Sequence, residues 1–342
     1  MFFKITTKKS ILKDLSFLCL GLILGVLLQK YYLPHIITDS NYAVREGGYN
    51  FINPLLSCNI SEDKQFSSYK PIEDKLRTYI NQNIKNGDAK NISVYFRGLN
   101  SGHWSGVGEN NTYAPASLLK VPLMIAYLKE ADDNPDILKQ KLTYTQTTDE
   151  NTAEYFKPQK FILPNQSYTV DDLLHYMILY SDNNAATLLQ NNLKQSDLLE
   201  VYSDIGIPVS SNLTDENMSP KIYSYIFRIL YNATYLSKPM SQYALELLSY
   251  ADFPQGLESG VPSNMPTSNK FGERTVETKN PMTGDLTVDY RELHDCGIIY
   301  YPKNPYLLCI MTKGQDFSKL TKIISDISTM VYNETTNGVL KI

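Results

Sequence analysis

The chain has 342 residues, enough for one large domain or two small ones. Its hydrophobic share of 42% and charged share of 20% are those of an ordinary globular protein, so a core of normal size can form. With a net charge of -4 and no Lys/Arg run, it lacks the electrostatic footprint of a nucleic-acid binder.

At the N-terminus, Lys4, Lys8, Lys9 and Lys13 precede an uncharged apolar run from Leu15 to Leu28. Its 14 residues fall short of the ~20 of a membrane span and fit a signal-peptide core. Lys30 can snorkel to the headgroups, however, and Tyr31, Tyr32 and Leu33 can extend the apolar reach. No small-residue cleavage site follows closely, and Cys19 lies inside the run rather than after a lipobox. An uncleaved anchor over residues 1–37 is the favoured reading, ahead of a cleaved signal or a buried core helix. Lysines on the N-terminal side predict a cytoplasmic N-terminus, which places the rest of the chain outside the cytoplasm, single-pass.

Residues 38–70 are mixed and polar, with Gly47-Gly48 and Pro54, and read as an extracytoplasmic stalk or packed lead-in. Residues 71–342 read as the main domain. Pro71 to Ile84 predicts an amphipathic helix with Ile72, Leu76, Tyr79 and Ile80 on one side. Ile92 to Leu99 alternates as a strand, with His103 to Val107 as its hairpin partner. Ala116 to Lys129 predicts a strongly apolar helix entered through Pro115. A second helix spans Val170 to Tyr180, with Thr169 as N-cap and Asp171 and Asp172 in its first turn. A third begins near Ala185 and a fourth covers Pro220 to Leu236. Two apolar strands, His294 to Tyr301 and Tyr306 to Thr312, flank a Pro302-to-Pro305 turn, and Phe317 to Val331 closes the chain as a helix. Strands, a block of helices, strands and a helix, in that order, predict an α+β fold: an antiparallel sheet with terminal helices and an inserted helical subdomain.

The four cysteines form no CxxC pair, and the four histidines show no HExxH spacing, so neither a metal nor a cofactor is expected. Cys296 and Cys309 can face each other across a hairpin, although two buried free thiols are the favoured reading. The 26 tyrosines have no physical explanation beyond composition bias.

Three short motifs carry the chemistry. Ser117-Leu118-Leu119-Lys120 is S-x-x-K, Ser181-Asp182-Asn183 is S-D-N, and Lys270-Phe271-Gly272 is K-T-G with one change. Singly each is weak: a solvated Ser and Lys on a helix, a helix cap, a lysine on a strand. In context they are stronger. Ser117 opens a helix, where unpaired N–H groups and the dipole favour an oxyanion. Lys120 lies three residues on, within reach of its hydroxyl, and its apolar helix would depress the amine's pKa enough for it to act as a base. Ser181-Asp182-Asn183 falls in a loop between helices, and Lys270-Phe271-Gly272 fits an inner sheet strand beside the cleft.

In their order and spacing, these motifs resemble the class A β-lactamases and the low-molecular-mass penicillin-binding proteins. The stretches Ala114 to Leu123, Tyr180 to Ala185, Cys296 to Tyr300 and Pro305 to Cys309 extend the resemblance over about residues 72 to 335. It implies a five-stranded antiparallel sheet and a Ser117 acyl-enzyme, with Lys120 taking the proton and Ser181 relaying one to the leaving nitrogen. It further implies that Asn183 and Lys270 hold the substrate's amide and carboxylate. The oxyanion hole would be the N–H groups of Ser117 and Glu273, beside Gly272 on the strand. The substrate would be a small-molecule β-lactam or a peptidoglycan peptide, and the protein a monomer.

Two departures stand out. Phe271 replaces the family's small hydroxyl residue, which removes a hydrogen bond to a substrate carboxylate. The E-x-x-L-N pattern of the class A deacylation glutamate is missing after S-D-N, and much of that loop reads as deleted. Glu200 and Glu216 are the glutamates in the interval, and they read as a solvated helix face and a helix cap. A β-lactam-opening hydrolase is therefore the first expectation. A D,D-carboxypeptidase or endopeptidase and a non-turnover β-lactam sensor are the alternatives.

Overall fold

The computed structural model describes residues 17–22, 24–25, 43–58, 69–207 and 218–337. Residues 1–42 and 43–342 form two separate units. In the first, residues 17–22 and 24–25 are helical and exposed; the rest of the expected anchor, Lys30 to Leu33 included, lies outside the described residues. Among the described residues, no helix is long and apolar enough to cross a membrane.

The second unit is built on one antiparallel sheet. Its strands are β3 (Asn91–Gly98), β4 (Trp104–Val107), β7 (Thr267–Lys279), β8 (Leu286–Ile299) and β9 (Tyr306–Gly314), in the order β4-β3-β9-β8-β7. Both faces are covered, so alternate residues enter different cores. On β3, Val94 and Phe96 face one core and Tyr95 the other; on β9, Leu308 and Ile310 oppose Leu307, Cys309 and Met311. Apolar residues on both sides of the pleat explain why these strands read as nearly unbroken hydrophobic runs.

The first face is covered by the terminal helices α1 (Lys70–Asn86) and α8 (Phe317–Thr336). In α1 the stripe is Ile72, Leu76 and Ile80, spaced one helical turn apart, and Gly87 ends the helix in a left-handed cap at φ 75°. In α8 it is Leu320, Ile324, Ile327 and Val331, with the Asp316 carboxylate capping the Ser318 N–H. The second face carries the helical layer: α2 (Lys120–Asp133), α3 (Val170–Leu179), α4 (Asn183–Asn192), α5 (Gln195–Asp204), α6 (Pro220–Asn232) and α7 (Lys238–Leu248). Thr169 caps α3 as expected, in a reciprocal box with Asp172.

Several boundaries differ from the sequence reading. The fourth predicted helix stops at Asn232, not Leu236, because Ala233 turns left-handed at φ 48°. β8 starts at Leu286 rather than His294; its outer half is half-exposed and carries no apolar run for a sequence to show. The strand of Lys270 was expected inside the sheet but is its outermost member, which frees one edge to face the helical layer. The helix face expected at Glu200 is that of α5, whose bounds the sequence did not give; the helix α7 was missed, as was a hairpin of β5 (Lys141–Tyr144) and β6 (Gln166–Thr169). Residues 43–58, read as a stalk or lead-in, hold a hairpin of β1 (Ala43–Arg45) and β2 (Leu55–Cys58) on the main body. Arg45 donates from there to Leu99 O and Asn232 Oδ1.

The cysteine expectation is corrected. Cys296 and Cys309 are not free thiols but a disulfide. The β8–β9 register sets them directly opposite, with Cα atoms 3.9 Å apart.

Candidate active site

Ser117 lies in a short 3₁₀ turn, Ala116–Leu119, that runs into α2 at Lys120. In such a turn, side chains three apart eclipse, which sets Ser117 beside Lys120. The entry is strained, since Ala116 adopts φ 51°, a left-handed conformation costly for a residue with a Cβ. Three contacts hold it. His294 Nε2 donates to Ala114 O at 3.0 Å, while its Nδ1 accepts from Thr312 N. Tyr223 OH donates to Leu118 O at 2.9 Å. Gly272 passes so close that a Cβ there would meet Pro115 O at 2.6 Å, which is why β7 carries a glycine at this point. Full burial pushes the His294 imidazole down to about 4, keeping it neutral as its one-donor, one-acceptor role requires.

The S-D-N segment separates its three side chains by task. Ser181 adopts φ 58°, and its Oγ accepts from both Lys120 Nζ (3.1 Å) and Lys270 Nζ (2.9 Å). With both lone pairs taken, its own proton is left to donate. Asp182 is buried and caps α4, accepting from Asn184 N, but it also accepts from Asn151 Nδ2 (2.8 Å) and Ile162 N (2.9 Å). A lost cap costs about 1 kcal/mol, whereas each orphaned buried donor costs about 1–3 kcal/mol. Asp182 is therefore chiefly the anchor of the loop between β5 and β6. Asn183, the first residue of α4, accepts from Lys120 Nζ at 2.6 Å and donates to Glu154 Oε1 at 2.6 Å.

Lys120 Nζ donates to Ser181 O (2.6 Å), Ser181 Oγ and Asn183 Oδ1. Three donations are the full complement of an ammonium, so its lone pair appears only when one contact is given up. Burial pulls its pKa down to about 8, against the charges of Glu154, Asp182 and Glu273 that pull it back up. Lys270 is fully buried, and its Nζ also donates to Phe271 O at 2.9 Å. Burial, then the charge of Lys120, hold it well below the usual lysine range. Phe271 does not line the cavity with Ser117, and Lys270 Nζ lies 4.2 Å from its ring centre. Its ring stacks on Phe253 at 4.0 Å, with Phe156 edge-on to both, and lines a separate hollow with Tyr180 and Pro254.

Ser117, Lys120, Asn183 and Glu273 line one cavity of about 390 Å³, with Ser181 and Lys270 meeting behind Lys120. Gly272 lies against the nucleophile turn. The seven residues singled out from the motifs thus converge. Three residues of the β5–β6 loop were missed. Glu150 and Glu154 line the same cavity, and Asn151 ties the loop to Asn183 N through its Oδ1 at 2.8 Å. The Glu273 side chain was missed as well. Its Oε1 and Oε2 accept from Phe156 N (2.7 Å) and Tyr155 N (3.1 Å), and it is hydrogen-bonded to Glu154. Burial raises Glu273 to about 8, despite the lowering effect of the Phe156 N–H bond. Glu200 is exposed on α5 and does not line the cavity; Glu216 lies outside the described residues.

A helix-entry serine, a buried lysine one turn on, a second serine between two lysines and a loop asparagine, all set against an antiparallel edge strand, define the β-lactamase and penicillin-binding class of serine hydrolase. Comparison with known proteins agrees. The model of the beta-lactamase enzyme family matches residues 72–335, and the chain belongs to that family. Among solved structures, PBP-A superposes with a TM-score of 0.65 at 19% identity, over 82% of this chain and all of that one. A PBP-A mutant captured as an acyl-enzyme with penicillin G gives 0.62 at 20% identity, over 78% and 97%. A class A beta-lactamase from Mycobacterium abscessus gives 0.61 at 19% identity, over 78% and 99%. The fold is therefore β-lactamase-like α+β. No curated protein sequence matches the chain.

Proposed function

We propose that the protein opens β-lactam amides through an acyl-enzyme on Ser117. One observation carries this reading: Lys120 and Lys270 both donate to Ser181 Oγ at the cavity that Ser117 lines. Lys120 takes the Ser117 proton as Oγ attacks the carbonyl. Ser181 then gives its proton to the leaving nitrogen and recovers one from Lys120, so each bond made or broken has its proton supplied. Two backbone N–H groups, of Ser117 and Glu273, would hold the oxyanion, each worth roughly 10²–10³ in rate. The PBP-A mutant's penicillin G acyl-enzyme supports the same chemistry on this scaffold.

A second reading, a peptidoglycan D,D-carboxypeptidase or endopeptidase, uses the same serine. It is favoured by the exposed position of Glu200 and by Phe271, whose ring occupies the aromatic stack where the family places a hydroxyl. A fluorescent penicillin followed over time separates the two. Label that appears on the protein and decays supports β-lactam turnover. Persistent label, with D-Ala released from a pentapeptide, supports the peptidase. No label at all rejects acylation by β-lactams.

Residues 1–37 are proposed to tether the domain as a single-pass anchor, with the catalytic unit outside the cytoplasm. The lysine-flanked apolar run supports this. Membrane fractionation with and without these residues tests it: the shortened chain should leave the membrane fraction.

A further inference from the structure

Acylation leaves the acidic wall of the cleft unused. Glu154 Oε1 accepts from Asn183 Nδ2 at 2.6 Å, and the other end of that same amide accepts from Lys120 Nζ at 2.6 Å. The carboxylate is thus one side-chain amide away from the catalytic lysine, in the cavity that Ser117 lines. Its loop is fixed rather than loose: Asp182 and Asn184 bind it through Asn151, Ile162, Asp149 and Glu150 N. Glu273, from the edge strand β7, is hydrogen-bonded to Glu154.

We propose that Glu154 is the general base of deacylation in this chain, activating the water that attacks the Ser117 ester, with Glu273 as its positioning residue. The proposal rests on the acyl-enzyme reading above. The neighbouring acids fit the role less well. Both Glu273 oxygens are tied to backbone N–H groups, and Glu150 is exposed. Glu154 is half-buried. Burial, the largest cause, raises Glu273 to about 8, so it keeps its proton at neutral pH beside Glu154. Lys120 and Lys270 both interact electrostatically with this pair of carboxyl side chains.

In the step itself, the water oxygen bonds to the ester carbonyl carbon and one of its protons passes to Glu154. The C–Oγ bond then breaks with its electron pair going to Ser117 Oγ. Oγ takes the proton held on Glu154, and the acid product leaves. Serine and carboxylate are both restored.

The test is the lifetime of the penicillin G adduct on the full-length protein, followed by intact mass after rapid quenching. Glu154→Gln keeps an oxygen to accept from Asn183 but cannot take a proton. Its adduct should form and then persist about 10²-fold longer or more, the usual worth of a general base. Glu154→Ala should show the same persistence, with the half-life shortened by added formate, a rescue that a purely structural role would not produce. A Glu154→Gln adduct decaying at the wild-type rate overturns the proposal. So does a wild-type adduct that never decays, or a Glu154→Ala adduct indifferent to formate. A wild-type protein that forms no adduct is a different result, and it removes the acyl-enzyme reading together with this one.

Discussion

The two walls of the cleft respond to burial in opposite directions. On one, Lys120 and Lys270 stand on a helix start and a sheet strand, and loss of water pushes both toward the neutral amine. On the other, Glu154 comes from a loop and Glu273 from the sheet edge, and loss of water pushes Glu273 toward the neutral acid, to about 8. Lys120 also stands at about 8. An amine and a carboxyl that ordinarily titrate about six pH units apart are thus drawn together near neutrality. The walls also differ in construction. The basic one is set by regular elements, while the acidic one depends on a loop that S-D-N itself pins.

Changes on the basic wall should have the largest effects. Ser117→Ala should abolish covalent labelling by fluorescent penicillin, and any remaining label would move the nucleophile elsewhere. Lys120→Met should slow acylation by roughly 10²–10⁴-fold, as read from the labelling rate. In the unaltered protein that rate should rise as pH climbs through about 8, where the Lys120 amine is freed, and then level off. A profile flat from pH 6 to 9 would remove Lys120 as the base.

A smaller effect is expected where the walls meet. Gly272→Ala places a methyl about 2.6 Å from Pro115 O, so strand and nucleophile turn must part. It should cost about 1–3 kcal/mol of stability, seen in denaturant melts, and slow labelling as well. Labelling and stability both unchanged would mean that the turn tolerates displacement.

The smallest effect is a pH dependence of stability from His294. Its folded pKa, about 4, is below the usual 6.5, so the unfolded chain binds the proton first. Its contribution is complete above about 6.5 and is lost as pH falls toward 4. His294→Gln should flatten the stability slope in that window by about one proton; an unchanged slope would assign the acid sensitivity to other groups.

The basic wall was legible in the sequence because its residues sit at fixed spacings on regular elements. Ser117 and Lys120 are one turn apart, and the apolar stripe of α2 marked the helix. The acidic wall was not. β5 and β6 have four residues each: β5 alternates, but over only two buried residues, Leu142 and Tyr144, and β6 buries none fully, so neither pattern is long enough to stand out. Glu154 gains its role from Asp182 and Asn183, which lie some thirty residues later and meet it only in three dimensions. The only visible signal was a polar stretch, Thr147 to Thr152, rich in acid and amide groups between two apolar segments. Glu273 was chosen for its backbone N–H; nothing in its spacing announced a carboxylate held by Tyr155 and Phe156. The facing of Cys296 and Cys309 across a hairpin was legible, but the general burial of cysteine favoured free thiols over a bridge. What the sequence lacked was the register, which sets the two directly opposite each other on β8 and β9.

Everything above depends on a covalent bond forming at one hydroxyl. Peptide mapping of the penicillin-treated protein, quenched within seconds, tests this most directly. The added mass should fall on the peptide containing Ser117 and be absent from Ser117→Ala. Added mass on any other peptide, or none on the wild type at saturating penicillin, would contradict it.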